Sequence, residues 1–175
     1  MVTKQTLETV PEITFRQATR ADNDAITSII DARIRWFTEN GMHQWNETGY
    51  REAYPDSYFL ARIEAGEMFV LETEGEIAGI AGLFGSDGRW DDDDSYLYLH
   101  HLATLPRHSG IGSLILEEAE RYAADRGFLG IRLDCQKDNA KLNRFYESRG
   151  YEAAGEIREG SYTGVKRQKS FRAEK

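Results

Sequence analysis

A strand-like run, SYLYLHHLAT at 95–104, is followed after a short polar turn by Gly110 and Gly112, and then by a long stretch with helical periodicity. Ile111, Ile115, Ala119 and Tyr122 share one face of that stretch, Glu117, Glu118 and Arg121 face water, and Gly127 is placed to stop it. Strand, glycine turn and helix in this order put a helix N-terminus at the end of a strand. Glycines there let backbone N–H groups approach a bulky anion, which the partial positive charge of the helix N-terminus also attracts. A pyrophosphate suits such a turn; a tight turn with no ligand is the competing reading. Two familiar phosphate loops fail on spacing. A dinucleotide fingerprint needs a small residue where Ile115 stands, and a P-loop needs a Lys and hydroxyl pair that is absent.

The remaining pattern is that of one mixed domain. Residues 1–12 read as a loose leader and 13–175 as a single domain, since 175 residues leave no room for a second full core. In ITFRQAT, Ile13, Phe15 and Gln17 alternate with Thr14 and Arg16, which predicts a half-buried strand. Thr19 and Asp22 form a capping-box signature ahead of Ile26, Ile29, Ile30, Ile34 and Phe37, whose spacing predicts a helix ending near residues 39–41. The aromatic-rich segment 41–67, with Pro55 inside it, reads as short helix and loop. MFVLET and IAGIAGLFG, joined by Glu74, Gly75 and Glu76, predict a hairpin. Beyond the polar loop GSDGRWDDDD and the strand and helix already named come a strand in GIRLDC, a short helix in NAKLNRFYESRG, and a closing hairpin of YEAAGEI and QKSFRAE at 168–174. The order of strand, helices, three strands, helix, strand, helix and two strands predicts a mixed α/β domain.

Charge narrows the partners. A formal net charge of -8 repels nucleic acid and anionic membranes, so neither is expected as a partner. Cys135 is the single cysteine, which rules out an internal disulfide and multi-cysteine zinc sites and reads most simply as a small buried residue on a strand. No stretch approaches the ~20 apolar residues of a membrane span, and the first residues have no apolar core behind a basic start. A soluble cytoplasmic protein is expected. A homodimer is compatible with the pattern, which does not fix an oligomeric state.

The flanks of the glycine turn carry a resemblance. LATLPRHSGIGSLIL followed by LDCQKDNAKLNRFYESRGY resembles the GNAT superfamily of acyl-CoA-dependent N-acyltransferases, most strongly over residues 95–152. The resemblance implies a central mixed, mostly antiparallel sheet with helices on both faces and a splayed central strand. It implies acetyl-CoA as co-substrate and no metal. The CoA pyrophosphate would sit on an Arg/Gln-x-x-Gly-x-Gly/Ala loop, here Arg107, His108, Ser109, Gly110, Ile111 and Gly112, with Ser113 adjoining. Leu102, Ala103 and Thr104 would line the pantetheine, the N–H of Leu102 facing the thioester oxygen, and Asn139 and Tyr146 would line the cofactor from a later helix. One departure stands out: only five residues separate Thr104 from Gly110, fewer than is usual, so the turn must be tighter.

Attack of an amine on a thioester needs an unprotonated nucleophile, a donor for the developing oxyanion and an acid for the departing thiolate. By the resemblance Tyr146 is the acid, since a phenol of pKa ~10 can protonate a thiolate whose thiol has pKa ~8.5. The plain alternative is a core aromatic beside Phe145. For the base, His100 stands two residues before Leu102, on the same face if no bulge intervenes, with His101 on the other. The arylalkylamine-acetylating branch of the family has a His at the matching position. A strand histidine satisfied by local hydrogen bonds competes with this reading, and Asp134, facing opposite to Leu133 and Cys135, is the second candidate. Trp36, Trp45 and Tyr50, with Trp90 and Asp91 to Asp94, are candidates for the acceptor wall, where aromatics and acid favour a cationic amine. Core packing and a solvated loop are the alternatives there. His100, His101 and the aspartate run lack metal-ligand spacing.

The function expected is therefore transfer of an acetyl group from acetyl-CoA to a primary amine of a small molecule, amino acid or peptide. The alternative is a noncatalytic acyl-CoA-binding sensor or interaction module, which needs neither Tyr146 nor His100. Acylation of a nucleic-acid-bound substrate would want a basic face, and the charge argues against one.

Overall fold

A computed structural model describes residues 11–91 and 95–171. Within them the order is β1 (Ile13–Gln17), α1 (Asn23–Glu39), α2 (Tyr50–Ala53), α3 (Asp56–Glu64), β2 (Met68–Thr73), β3 (Glu76–Phe84), β4 (Tyr96–Thr104), α4 (Ile111–Asp125), β5 (Gly130–Gln136), α5 (Ala140–Glu147), β6 (Glu152–Glu159) and β7 (Tyr162–Ser170). The strands form one sheet in the order β1-β2-β3-β4-β5-β7-β6, antiparallel except for the β4–β5 pair. This is the mixed, mostly antiparallel sheet that the resemblance implies.

Side chains alternate between two cores, one on each face. Met68, Val70, Ile80 and Ala103 bury with Ile26, Ile29 and Ile30 of α1 and with Phe59 and Ile63 of α3. Phe69, Leu71, Ala81, Leu83, Leu97 and Leu99 bury with Ile111, Ile115, Leu116 and Ala119 of α4. At Gly79 a methyl group would stand 2.6 Å from Ile115 Cδ1 and 2.8 Å from Ile111 Cγ2. That glycine therefore sets how deeply the start of α4 can lie on the sheet.

Local chemistry fixes the element ends. The Asp22 carboxylate accepts from the Thr19 N–H at 2.7 Å and from Arg16 at 2.8 Å, and Arg16 also reaches Glu72 of β2 at 2.9 Å. The Arg16 hydrogen bonds hold the Asp22 carboxyl down at about 2. Glu74 and Gly75 both take positive φ, at 54° and 80°, as a two-residue type I′ turn requires, and Thr73 pairs with Glu76. Glu76 thus belongs to β3 rather than to the turn.

The closing strand begins at Tyr162, not at Gln168. Its charged residues conceal it in the sequence, but Arg167 is buried through bonds to Asn143 and Glu147 of α5. Most of the expected leader (1–10), Asp92 to Asp94, and the end of the expected last strand lie outside the described residues.

β4 and β5 pair only at Tyr96–Gly130, Leu97–Ile131 and Tyr98–Arg132. Beyond that point both continue as strands without pairing to each other. The sheet thus opens at the carboxyl ends of its parallel pair, the place where open sheets of parallel strands hold ligands.

Candidate active site

Where β4 and β5 part lies a cleft of about 670 Å³, walled by His100, His101, Leu102, Ala103 and Thr104 of β4, Asp134 and Cys135 of β5, Gly112, Asn139, Tyr146, Trp45 and Tyr50. Of the glycine turn only Gly112 is in the lining, and Arg107, His108, Gly110, Ile111 and Ser113 are not, but many of the other residues singled out in the sequence meet here. Trp36 does not: Arg33 and Phe37, one turn apart on α1, face the cleft, and Trp36 lies beside that row, against Phe37 and beneath Arg33. Trp90 packs instead with Tyr98, Arg132 and Lys166.

The backbone of β4 turns into the cleft for a definable reason. Leu105 donates to the Ala78 carbonyl at 2.8 Å, and Ala103 stands opposite Ile80. By antiparallel alternation, Ala103 and Leu105 direct their backbone bonds to β3, while the N–H and C=O of Leu102 and Thr104 point to the side where β5 has departed. Between His100, opposite Gly82, and Ala103, opposite Ile80, β4 takes three steps to two on β3. The extra residue makes a β-bulge, and His101 within it has φ 53°.

This bulge overturns the expected facing of the histidines. Leu99 and Leu102, three apart, both turn to the α4 core, so His100 does not share a face with Leu102. Both imidazoles lie against Phe84, at centroid distances of 4.7 and 5.9 Å.

The two rings nevertheless differ in chemistry. His100 Nε2 lies 3.0 Å from Asp87 Oδ2. Burial works to raise that carboxyl, but hydrogen bonds from His100 and the Arg89 N–H outweigh it and bring it below its usual range. His101 is buried, its Nδ1 bonded to the Tyr50 hydroxyl and its Nε2 3.0 Å from the Tyr58 hydroxyl. Burial, aided by His100, Arg62 and Arg89, pushes its imidazole down to about 3 and keeps it neutral. The ring ties the bulge to α2 and α3, and its two bonds offset a backbone strain of ~1–3 kcal/mol.

Asp134 has both oxygens engaged, accepting from Arg89 at 3.1 Å and from Tyr162 at 2.6 Å, while Arg89 also holds Glu159. It anchors the β6–β7 turn. Tyr146 lines the cleft from α5, and burial first, then Cys135 and Asp134, holds its phenol well above the usual range. It is protonated at neutral pH. Cys135 is buried 3.4 Å from Asn143 Oδ1, and burial raises its thiol as well. Asn139 caps α5, accepting from the Leu142 N–H at 3.0 Å.

At the glycine turn the main chain is presented and the side chains are turned elsewhere. Gly110 caps α4 at φ 79°, a conformation that side chains oppose. A methyl on Gly112 would stand 3.8 Å from Phe145 and 4.0 Å from Thr104, an ordinary fit. Ile111 is buried beneath Gly79 and offers only its amide. Arg107 and His108 both bind Glu76, His108 at 2.6 Å, and the Ser113 hydroxyl accepts from Arg149, which stacks on Phe145 at 3.9 Å. The first amides of a helix have no intrahelical acceptor, so they are what the turn offers an anion.

Among the described residues no three His, Cys, Asp or Glu side chains are grouped to hold a metal ion, and no helix is long and apolar enough to cross a membrane. No local pattern marks Arg33, Asp87, Arg89 or Tyr162, which join the site only through the fold.

Known proteins share this architecture. A model of the acetyltransferase (GNAT) family matches residues 29–151. The chain is 31% identical over 143 residues to the uncharacterized N-acetyltransferase YesJ of Bacillus subtilis, covering 77% of this chain and 78% of that protein. A GNAT-family acetyltransferase from Listeria monocytogenes superposes with a TM-score of 0.73 at 28% identity, covering 91% of this chain and 95% of the other. The PaiA N-acetyltransferase of Thermoplasma acidophilum, solved with coenzyme A, gives 0.72 at 22% identity, covering 91% and 99%. Fold and relatives define the class, an acetyltransferase. Within that class, the chain belongs to the GNAT acetyltransferase family.

Proposed function

We propose that residues 13–175 form one catalytic domain that moves an acetyl group from acetyl-CoA directly to the primary amine of a small molecule, amino acid or peptide. The observation that carries this reading is the edge of β4 that β5 leaves without a strand partner, which turns the backbone of Leu102 and Thr104 into a cleft between the start of α4 and Tyr146. A pantetheine arm can add to that edge as a further strand, with the diphosphate on the amides of residues 110–113. The occurrence of coenzyme A in PaiA, and of acetyl-CoA in YncA of Salmonella typhimurium (TM-score 0.69, 20% identity), supports the choice of co-substrate. The acidic net charge and single cysteine support a cytoplasmic setting without nucleic acid or membrane.

In this reading the Leu102 N–H stabilises the oxyanion formed as the amine attacks the thioester carbon. The C–N bond forms, the C–S bond breaks, and Tyr146 gives its proton to the thiolate. The amine proton passes to His100, which Asp87 orients, directly or through water. Asp134 is the weaker base candidate because both its oxygens are engaged.

Release of free thiol from acetyl-CoA, screened against polyamines, aryl-alkylamines, amino acids, aminoglycosides and peptides, tests the proposal. Turnover with at least one amine is expected. Tight acetyl-CoA binding without turnover on any of them would favour the noncatalytic sensor.

A further inference from the structure

Among the described residues two guanidinium groups, those of Arg33 and Arg89, line the cleft, and their surroundings differ. Arg89 is paired with Asp134 at 3.1 Å and Glu159 at 2.7 Å. Arg33 of α1 lies over the Trp36 ring at 5.1 Å and directs one terminal nitrogen to the Thr104 carbonyl at 2.6 Å and its hydroxyl at 2.7 Å. Among the described residues it has no carboxylate partner, and burial is what acts on it. A half-buried guanidinium with no carboxylate beside it has little to offset the hydration it gives up. One nitrogen is engaged, which leaves the rest of a fork suited to carboxylate or phosphate oxygens.

Its position indicates where such an anion would come from. Thr104 ends β4, and its methyl lies 4.0 Å from where a side chain on Gly112 would begin, so Arg33 stands across Thr104 from the amides that start α4. On its other side is Phe37, part of the wall toward Trp45 and Tyr50. The Thr104 carbonyl that Arg33 holds is also one that a pantetheine amide would use, and with two lone pairs it can accept from both.

We propose that Arg33 is an anion-binding residue of the cleft, taking a phosphate or carboxylate group of the occupant in its guanidinium fork. The inference rests on the acetyl-transfer reading. The anion has two sources, the diphosphate of coenzyme A or a carboxylate on the acceptor.

Arg33→Gln and Arg33→Lys, compared with the parent by calorimetry and steady-state kinetics, separate these sources. The probes are coenzyme A, S-acetylpantetheine without the diphosphate, and a panel of α-amino acids beside the amines left by their decarboxylation. If the diphosphate is held, Arg33→Gln weakens coenzyme A about 10- to 100-fold and leaves S-acetylpantetheine within twofold. If an acceptor carboxylate is held, coenzyme A is unchanged, KM for amino acids rises by the same factor, and KM for the decarboxylated amines stays put. Arg33→Lys recovers part of either loss as a point charge. Should Arg33→Gln fail to fold, the Arg33 Nε–H resonance of the parent, followed during addition of inorganic pyrophosphate or acetate, gives the same decision, and an unmoved resonance overturns the proposal. A parent that binds and turns over acetyl-CoA while Arg33→Gln equals it in both arms overturns this inference alone. A parent that binds no coenzyme A overturns the acetyl-transfer reading, and this one with it.

Discussion

The two ends of the cleft are built from different materials. At the start of α4 the side chains are withdrawn: Ile111 is in the core, Arg107 and His108 hold Glu76, Ser113 accepts from Arg149, and amides remain. At the β4 bulge the side chains are the structure, with His101 fixed by two tyrosine hydroxyls, His100 by Asp87, and Tyr146 buried at the wall. A main-chain site depends on backbone conformation and tolerates new side chains. A buried side-chain site fails when single atoms are removed.

The sharpest way to break this contrast is Tyr146→Phe, which removes one oxygen at the side-chain end. A fall in kcat of about 10²- to 10⁴-fold is expected, with the dissociation constant of acetyl-CoA within about twofold. Full turnover would make the phenol a packing group.

The next effect is one of pH on stability. His101 is held at about 3 in the folded chain, against an ordinary ~6.5 for the unfolded one. The unfolded state therefore takes up the proton first, so stability is complete at neutral pH and declines as pH falls from ~6.5 toward ~3, at about 1.4 kcal/mol per unit. Urea unfolding of the parent and of His101→Asn, whose side chain tolerates the left-handed backbone, should give curves that converge on acidification. Parallel curves would mean that His101 is not held neutral.

At the main-chain end the effects are smaller and differ between neighbours. Gly110→Ala must adopt φ 79°, at a cost of about 1 kcal/mol in thermal unfolding, and it should weaken coenzyme A. Gly112→Ala meets only ordinary contacts and should leave affinity within twofold. The reverse ranking would contradict the geometry of the turn. Smallest of all is Arg107→Gln: the side chain is exposed and already bound to Glu76, so coenzyme A affinity should change by less than about threefold.

Much of the main-chain end is legible in the sequence because its signals are local. Two glycines beside a 3.6-residue period define a helix start whatever lies elsewhere, and α4 begins at Ile111 as that spacing predicts. The bulge is not legible. Tyr96 to Leu99 are all buried, so alternation in β4 carries no contrast in which one extra residue could show, and the facing of His100 and Leu102 follows the bulge rather than the period. Nor can local pattern join Arg33 to Thr104, 71 residues away, or Arg89 to Asp134, 45 away. Those partnerships exist only once α1 and the loop before β4 are folded against the sheet. Trp36 was legible as an aromatic near the cleft but not as one beside the lining row, since a single step around a helix turns a side chain through about 100°.

If the main chain of the parted strand and of the glycine turn holds the cofactor, its amides must report the binding themselves. Titration of ¹⁵N-labelled protein with coenzyme A should shift the amides of Leu102, Thr104 and residues 110–113 the most, all along one saturation curve. Saturable binding that leaves these amides in place while resonances elsewhere move would contradict it.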